Sequence, residues 1–352
     1  MRGPGAPARL GATPTRGGDV TDRPTDADTG GAPRVCVLAV TSLLTVTIED
    51  GAAGAGPELH VHPGGQGLWV ARMIRSLGGQ AVVCGPLGGE TGRVVEHLAT
   101  LEGDTLRVTR YDGDTGAYVH DRRDGARDEI VRTAPSVLDR HEEDDLFGTV
   151  LVQALDADVV VLTGAEPAEV LDAEFFGRLA TDLRATGRRT VADLSGDAAR
   201  AAVEAGLDVL KISHEEMAEA GLADSEELDD LVAGARALVR GEVGAVVVSR
   251  AAEPTLVVTG GQEGDGERVC LLTTPPVTIV DHRGAGDSMT AGIAVAMARG
   301  ADVVEAARLG AAAGAINVTR HGLGSGSRDQ IERMVHEVQV DDHDGPAEGK
   351  GR

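Results

Sequence analysis

The chain has 352 residues, enough for one large α/β domain with an appendage or for two domains. Hydrophobic residues make up 41% of it but aromatics only 2%, so the core must be Val, Leu, Ile and Ala, which suits helices lying close on a parallel sheet. A net charge of -24 repels phosphate backbones and argues against a nucleic-acid partner, so an anionic substrate has to be captured by a local positive site.

Residues 1–33 are rich in Gly, Pro, Thr, Asp and Arg without a hydrophobic period and read as a disordered tail, as do residues 340–352. No apolar stretch approaches about 18 residues and no apolar signal core opens the chain, so neither a membrane span nor a membrane partner is expected. Cys36, Cys84 and Cys270 are odd in number and widely spaced in apolar runs. That pattern fits buried thiols of a reduced, cytoplasmic protein.

The expected ordered domain, 34–339, begins with a β run at Val35–Val40, followed by strand-like segments at Thr45–Ile48 and Leu59–His62. A Pro63-Gly64-Gly65 turn precedes a helical pattern (Leu68, Val70, Met73, Ile74, Leu77) that stops at Gly78-Gly79. Ala81–Cys84 is a short buried strand. Leu106–Tyr111 and Ala117–Asp121 read as a half-exposed hairpin, which with the segments at 41–62 would form a small separate sheet, a lid spanning 41–62 and 105–122. From about residue 140 strands and helices alternate: strands at Val159–Leu162, Thr190–Asp193, Val209–Ile212 and Ala245–Val248, helices near 167–186, 197–206 and 225–240. This is the pattern of βαβ units around a mostly parallel sheet. A hairpin near 255–273, a strand at Val277–Val280 and helices at 286–299 and 302–319 complete the series.

The most informative stretch is VTIVDHRGAGDSMTAG, 277–292. Glycines let the backbone curl so that the N–H groups of Gly284, Ala285 and Gly286 converge at a helix N-terminus, where the partial positive charge also sits. That makes an anion hole for a phosphoryl group, and Asp287 beside it can take a proton from an attacking hydroxyl. The bland alternative is a tight strand–helix turn with Asp287 as a cap. No GxxxxGK[ST] loop is present, and no GxGxxG follows the first strand. His60 and His62 alternate on one face of a strand, but no third metal ligand lies near them in sequence. The acidic run 141–145 reads as a solvated helix start.

Two separated segments, PGGQGLWVARMIRSLGG (63–79) and TIVDHRGAGDSMTAG (278–292), resemble the two signatures of PfkB-type sugar kinases, in the same order. The similarity is greatest to the 1-phosphofructokinase and tagatose-6-phosphate kinase branch. VADLSG (191–196), KISHEE (211–216) and AAAGAINVTRHGLGS (311–325) also match the family, so the resemblance covers about 34–336. It implies a ribokinase-like α/β fold, with a central mostly parallel sheet flanked by helices and a small β-sheet lid. It implies ATP-dependent phosphoryl transfer to a hydroxyl of a sugar, sugar phosphate or polyol, with Asp287 as general base and Gly284, Ala285 and Gly286 holding the γ-phosphoryl. Glu216 would organise Mg²⁺, while Lys211, Ser213, Ser249 and Asn317 would lie on the nucleotide side. Thr45, Gly64, Gly65, Gln66 and Trp69 would lie on the acceptor side. A homodimer through the lid is also implied.

The departures from the family concentrate at the acceptor. Thr45 stands where the branch has Asp, Gln66 where it has Lys, Trp69 where it has Asn, and Gly116 and Tyr118 where a lid strand has Arg and Asn. Neutral and aromatic replacements point to a different acceptor, unphosphorylated or more apolar; Trp69 as a mere core residue is the alternative. On the nucleotide side Ser213 replaces Asn, and Ser249-Arg250-Ala251-Ala252-Glu253-Pro254 lacks the usual glycines. Two other functional readings stay open: a kinase-fold binding or regulatory protein with weakened catalysis, and a nucleoside kinase of the same superfamily.

Overall fold

The computed structural model describes residues 31–51, 56–125, 127–261, 266–320 and 322–343. The expected tails therefore fall largely outside the described residues, at 1–30 and 344–352. In chain order the elements are β1 (Arg34–Leu38), β2 (Leu43–Asp50), β3 (Pro57–Gly64), α1 (Gln66–Ser76), β4 (Gln80–Leu87), α2 (Gly89–Leu101), β5 (Thr105–Arg110), β6 (Gly116–Asp121), β7 (Asp128–Thr133) and α3 (Arg140–Ala154). They continue as β8 (Val159–Thr163), α4 (Ala173–Ala185), β9 (Arg189–Asp193), α5 (Gly196–Ala205), β10 (Leu207–Ser213), α6 (His214–Glu219), α7 (Leu228–Val239) and β11 (Val243–Arg250). The chain then forms β12 (Glu253–Thr259), β13 (Arg268–Thr273), α8 (Ala285–Ala298), α9 (Val303–Asn317), α10 (Arg328–Glu337) and β14 (Gln339–Asp342).

Among the described residues a ten-stranded sheet runs in the order β14-β13-β12-β11-β10-β9-β8-β1-β4-β5. Strands from β5 to β11 are parallel, and β12, β13 and β14 close one edge antiparallel. The central strands are continuous apolar runs because helices cover both faces; β8 (VVVLT) is buried at every position. Alternation sends Val35 and Val37 of β1 to one core with α1, α8 and α9, and Cys36 and Leu38 to the other with α3, α4 and α7. The chain walks outward from β1 to β4 and β5 on one side, then from β8 to β11 on the other. The strand order thus reverses beside β1, and such a switch point opens a crevice at the carboxyl ends of the strands.

Helices α8 and α9 are buried on nearly all sides. They approach closely because glycines face each other: a Cβ on Gly292 would lie 2.7 Å from Gly310 Cα, and one on Gly310 would lie 2.7 Å from Met289 O. The three cysteines are buried free thiols. No described helix is long and apolar enough to cross a membrane.

Four expectations need correction. The lid is a four-stranded sheet, β3-β2-β6-β7, and β5 is not part of it. Thr105–Arg110 instead pairs parallel with β4 at the edge of the main sheet, whose half-buried position gives the same alternation as a lid strand. The segment Val277–Val280 is not a strand: Pro275 and Pro276 precede it, and the Val280 and Asp281 N–H groups both donate to Val318 O, at 2.7 and 3.2 Å. The domain also runs past residue 339, since β14 pairs antiparallel with β13 up to Asp342. The helix expected from 167 begins at Ala173, where the Asp172 carboxylate accepts the Glu174 N–H at 2.9 Å as a cap.

Candidate active site

Four elements converge at the crevice. Helix α8 begins at Gly284, whose φ of 71° is left-handed, so the chain enters the helix through a turn that favours glycine. The N–H groups of Ala285, Gly286 and Asp287 belong to the first turn and have no carbonyl partner within the helix. They stand free to bind an anion, with the positive end of the helix behind them.

Beside this turn lies a buried ionic cluster. Lys211, at the end of β10, places Nζ 3.1 Å from Asp193 Oδ1 at the end of β9, both side chains 6% exposed. The Thr290 hydroxyl in α8 donates to Asp193 Oδ2 at 2.6 Å. A Cβ on Gly286 would lie 2.7 Å from Lys211 Nζ, so glycine there lets the ammonium lie directly on the turn. The cluster locks β9, β10 and α8 into one arrangement. Asp193 and Thr290 are the members that sequence reasoning missed. The available signal was a lone carboxylate closing an apolar strand (TVAD), which burial tolerates only with a partner.

Asp287 is half-buried in the first turn of α8. Desolvation, reinforced by the neighbouring Asp193 and Glu216 carboxylates and only partly opposed by Lys211, raises its pKa from the ordinary carboxylate value to about 7. A carboxylate with that pKa is balanced between the two states a proton acceptor must visit near neutral pH. Lys211 keeps its proton: burial works to lower its pKa, but Asp193, Glu216 and Asp287 together raise it.

The residues expected on the nucleotide side lie along the same crevice, with different duties. Ser213 caps α6: its hydroxyl accepts the Glu216 N–H at 3.2 Å, and Glu216 Oε2 accepts the Ser213 N–H at 2.9 Å. One Glu216 oxygen is thereby tied to the backbone. Ser249 sits opposite Ser213 in the β10–β11 register, at a bulge. Asn317 is fully employed as a strut, donating to Arg283 O at 2.7 Å and accepting the Ser325 N–H at 3.2 Å. It positions the segment leading into the α8 turn and the loop beyond α9.

Beneath the lid is a cavity of about 320 Å³ lined by Thr45, Thr47, Glu49, His60, His62, Pro63, Trp69, Arg72, His120, Arg122, Arg127, Asp281, Gly322 and Leu323. Thr45 and Trp69 face it. Gly64 borders them, since a Cβ there would lie 2.6 Å from Thr45 Oγ1 and 3.4 Å from Trp69 Cζ2. Gly65 starts α1 with a φ of 106°, pressed against Thr41. Gln66 does not reach the cavity; its amide accepts the Gly164 N–H at 3.2 Å and donates to Asp193 O at 3.5 Å, bridging the ends of β8 and β9. Leu323 joins the cavity to the α8 turn, because a Cβ on Gly284 would lie 3.4 Å from Leu323 Cβ. His60 and His62 stack side by side with ring centroids 6.4 Å apart. Among the described residues no group of three His, Cys, Asp or Glu is placed to hold a metal ion.

The cavity is not the neutral one expected. Three arginines enter it from α1 and from the β6–β7 turn, positions that the comparison of lid-strand residues did not include. Arg72 is consumed by Glu102, at 2.7 Å, and by Leu323 O, at 2.9 Å. Arg122 and Arg127 both face Asp281 Oδ2, at 3.0 and 3.9 Å, and Arg122 also lies 3.9 Å from Glu49 Oε1. Tyr118 lies behind, stacked on His120 with centroids 4.9 Å apart.

Comparison with known proteins agrees with this geometry. Residues 34–330 match the family model described as pfkB family carbohydrate kinase. The chain is 29% identical to the ATP-dependent 6-phosphofructokinase isozyme 2 of Mycobacterium tuberculosis, over 86% of this chain and 89% of that protein. It is 26% identical to the 1-phosphofructokinase of Bacillus subtilis, over 79% and 88%. Its fold superposes on the crystal structure of phosphofructokinase-2 from Escherichia coli in complex with potassium with a TM-score of 0.75 at 25% identity, over 86% and 98% of the two chains. The β-sheet lid, the crevice at the strand ends and the glycine-cornered α8 turn are thus those of a ribokinase-like sugar kinase, and the chain belongs to the pfkB family of carbohydrate kinases.

Proposed function

We propose that the protein transfers the γ-phosphoryl group of ATP to a hydroxyl of a phosphorylated sugar, with Asp287 as the general base. The observation that carries this reading is a carboxylate with a pKa near 7 in the first turn of a helix whose free N–H groups face the same crevice. The acceptor oxygen attacks the γ-phosphorus while the bond from that phosphorus to the β–γ bridging oxygen breaks, and Asp287 takes the hydroxyl proton. The α8 turn holds the charge on the moving group. Lys211, fixed by Asp193, supplies a positive charge beside it. The names of the relatives, 6-phosphofructokinase and 1-phosphofructokinase, favour a phosphorylated acceptor, as do the cavity's arginines.

The family implies Mg²⁺, and the residues fit it. Asp193, Glu216 and Asp287 gather more negative charge than Lys211 offsets, and Glu216 keeps one oxygen outside its backbone contact. Mg²⁺ needs only one or two protein carboxylates and completes its shell with water and phosphate oxygens. Glu216 would hold it through water, and when bound the ion would neutralise the ATP phosphates.

The test is ADP formation from Mg-ATP across a panel of sugars, sugar phosphates, polyols and nucleosides. We expect acceptor-dependent turnover with sugar phosphates. No ADP formation with any acceptor in the panel, while nucleotide still binds, would favour the regulatory reading. A response confined to nucleosides would favour the nucleoside-kinase reading.

The outer face of the lid favours a homodimer. Val46, Ile48, Leu59, Val61, Val119 and Val131 share one face by register, opposite the cavity, and Leu59 is 66% exposed. A second copy presents the same apolar stripe to a two-fold partner, as an isologous contact requires. Sedimentation should show a dimer, and Val61→Glu should yield monomer; a wild-type monomer at micromolar concentration would refute the pairing.

A further inference from the structure

Two buried nitrogens have no partner among the described residues, His120 Nδ1 and Arg127 Nε, and both belong to residues that line the cavity under the lid. His120 is 1% exposed, and its other nitrogen, Nε2, is already bound to Thr47 Oγ1 at 3.0 Å. Burial and the nearby Arg127, Arg122 and Arg283 cations lower the His120 pKa to about 4, so it presents a neutral imidazole. Arg127 lies over the Tyr118 ring at 5.2 Å, a ring that Arg132 also meets at 4.7 Å. Its contact with Asp281, at 3.9 Å, is long, and Arg122 competes for the same oxygen at 3.0 Å. Two guanidinium groups therefore share Asp281, and Arg122 has Glu49 Oε1 at 3.9 Å besides. Leaving buried polar nitrogens unpaired is costly, and a bound ligand that pairs them would recover that cost.

We propose that Arg127, with Arg122, determines specificity by binding an anionic group of the acceptor, a phosphate or a carboxylate, while His120 Nδ1 hydrogen-bonds a neighbouring oxygen of the same molecule. These residues lie outside the lid-strand positions at which the family resemblance places acceptor recognition. A planar guanidinium suits two-point recognition of an oxyanion. The apolar side of the acceptor lies against Trp69, across the cavity. The anion takes the place of part of the Asp281 contact. Because Asp281 Oδ1 also accepts the Arg283 N–H at 3.1 Å, just before the α8 turn, the acceptor's charge is sensed at the edge of the phosphoryl site.

This inference rests on the sugar-kinase reading, and its test must separate the two. Trp69 is the only tryptophan of the chain and lines the cavity, so its fluorescence can report acceptor binding without turnover. The full chain, with a non-hydrolysable ATP analogue present, is titrated with a hexose, the corresponding hexose phosphate and the corresponding hexonate. At least one anion should half-saturate the signal at a concentration about 10–100-fold below that of the neutral sugar. Arg127→Met should remove that advantage and leave the neutral sugar within about threefold of wild type, while Arg127→Lys should recover part of it. His120→Phe should weaken binding of the preferred anion, with nucleotide-analogue affinity and thermal midpoint serving as folding controls, and unchanged anion binding would remove His120 from the site. The two anionic arms distinguish a phosphate from a carboxylate. Equal binding of all three ligands, no Trp69 response to any, or an Arg127→Met effect equal for neutral and anionic ligands would overturn the proposal. ADP formation is measured on the same samples. Anion-selective binding without turnover would keep this inference and remove the catalytic reading, and turnover that ignores the acceptor's charge would do the reverse.

Discussion

Asp287→Asn should lower kcat by about 10²–10⁴-fold, the range that general-base groups contribute, with little change in nucleotide affinity. Wild-type kcat/KM should fall on the acid side of a limb near pH 7, where Asp287 takes up its proton, and the residual rate of the variant should lack that limb. Stability should move the other way. Folding raises this pKa from 3.8 to about 7, so between those values the folded protein keeps a proton that the unfolded chain has lost. Native stability from this group is therefore lost as pH rises through that window, and is lowest above it. The Asn variant escapes the loss. The full shift corresponds to about 4 kcal/mol, which the half-exposure of Asp287 to solvent reduces, so the variant should be more stable than wild type by on the order of 2 kcal/mol at pH 8, with the difference closing below about pH 4. A variant that is inactive but less stable at pH 8 would contradict the assignment of Asp287 as a desolvated base. Thermal or denaturant unfolding at the two pH values, alongside the pH–rate profile, decides it.

Lys211→Met should cost about 3–5 kcal/mol, because it leaves Asp193 in a buried site without its cation. It should also shift the kinetic limb. Lys211 holds the Asp287 pKa down and Asp193 pushes it up. Lys211→Met should therefore move the limb to higher pH, and Asp193→Asn should move it to lower pH. Opposite displacements from two members of one ion pair are hard to obtain from misfolding, which would lower the rate at every pH alike. The double variant should regain much of the stability lost by Lys211→Met, since no uncompensated charge remains. An unmoved limb in both single variants would show that the cluster does not act on Asp287.

The parts of this fold that were legible are those whose signal is contiguous. The alternating strands and helices from residue 159 onward, and the Gly284–Asp287 turn, each declare themselves within a few positions. The ionic cluster does not, because Asp193, Lys211 and Thr290 come from three elements and meet only after the sheet forms. Residue type could mark Asp193 as unusual but could not name its partners. Strand β5 misled because half-burial looks the same at a sheet edge as in a lid. Strand β7 (DEIVRT) was invisible because it is exposed throughout and so has no period to read. β14 (QVDD) was missed because two of its four residues are carboxylates and it is held through the backbone. At the acceptor side, following the family's positions one by one showed what had been lost. It could not show Arg122 and Arg127, supplied from the β6–β7 turn, nor that Arg72 of the matched segment 63–79 borders the cavity.

The facing glycines of α8 and α9 have a mechanical meaning. Two helices separated by long side chains can slide as those chains change rotamer; two in backbone contact have no such clearance. The helix that carries Asp287 is thus a datum, fixed by its neighbour to a tolerance finer than a methyl group. Misplacement of reacting groups by about 1 Å costs roughly 10²-fold in rate, so that tolerance is of catalytic size. The half of the molecule that carries Asp287 is in this sense built without play.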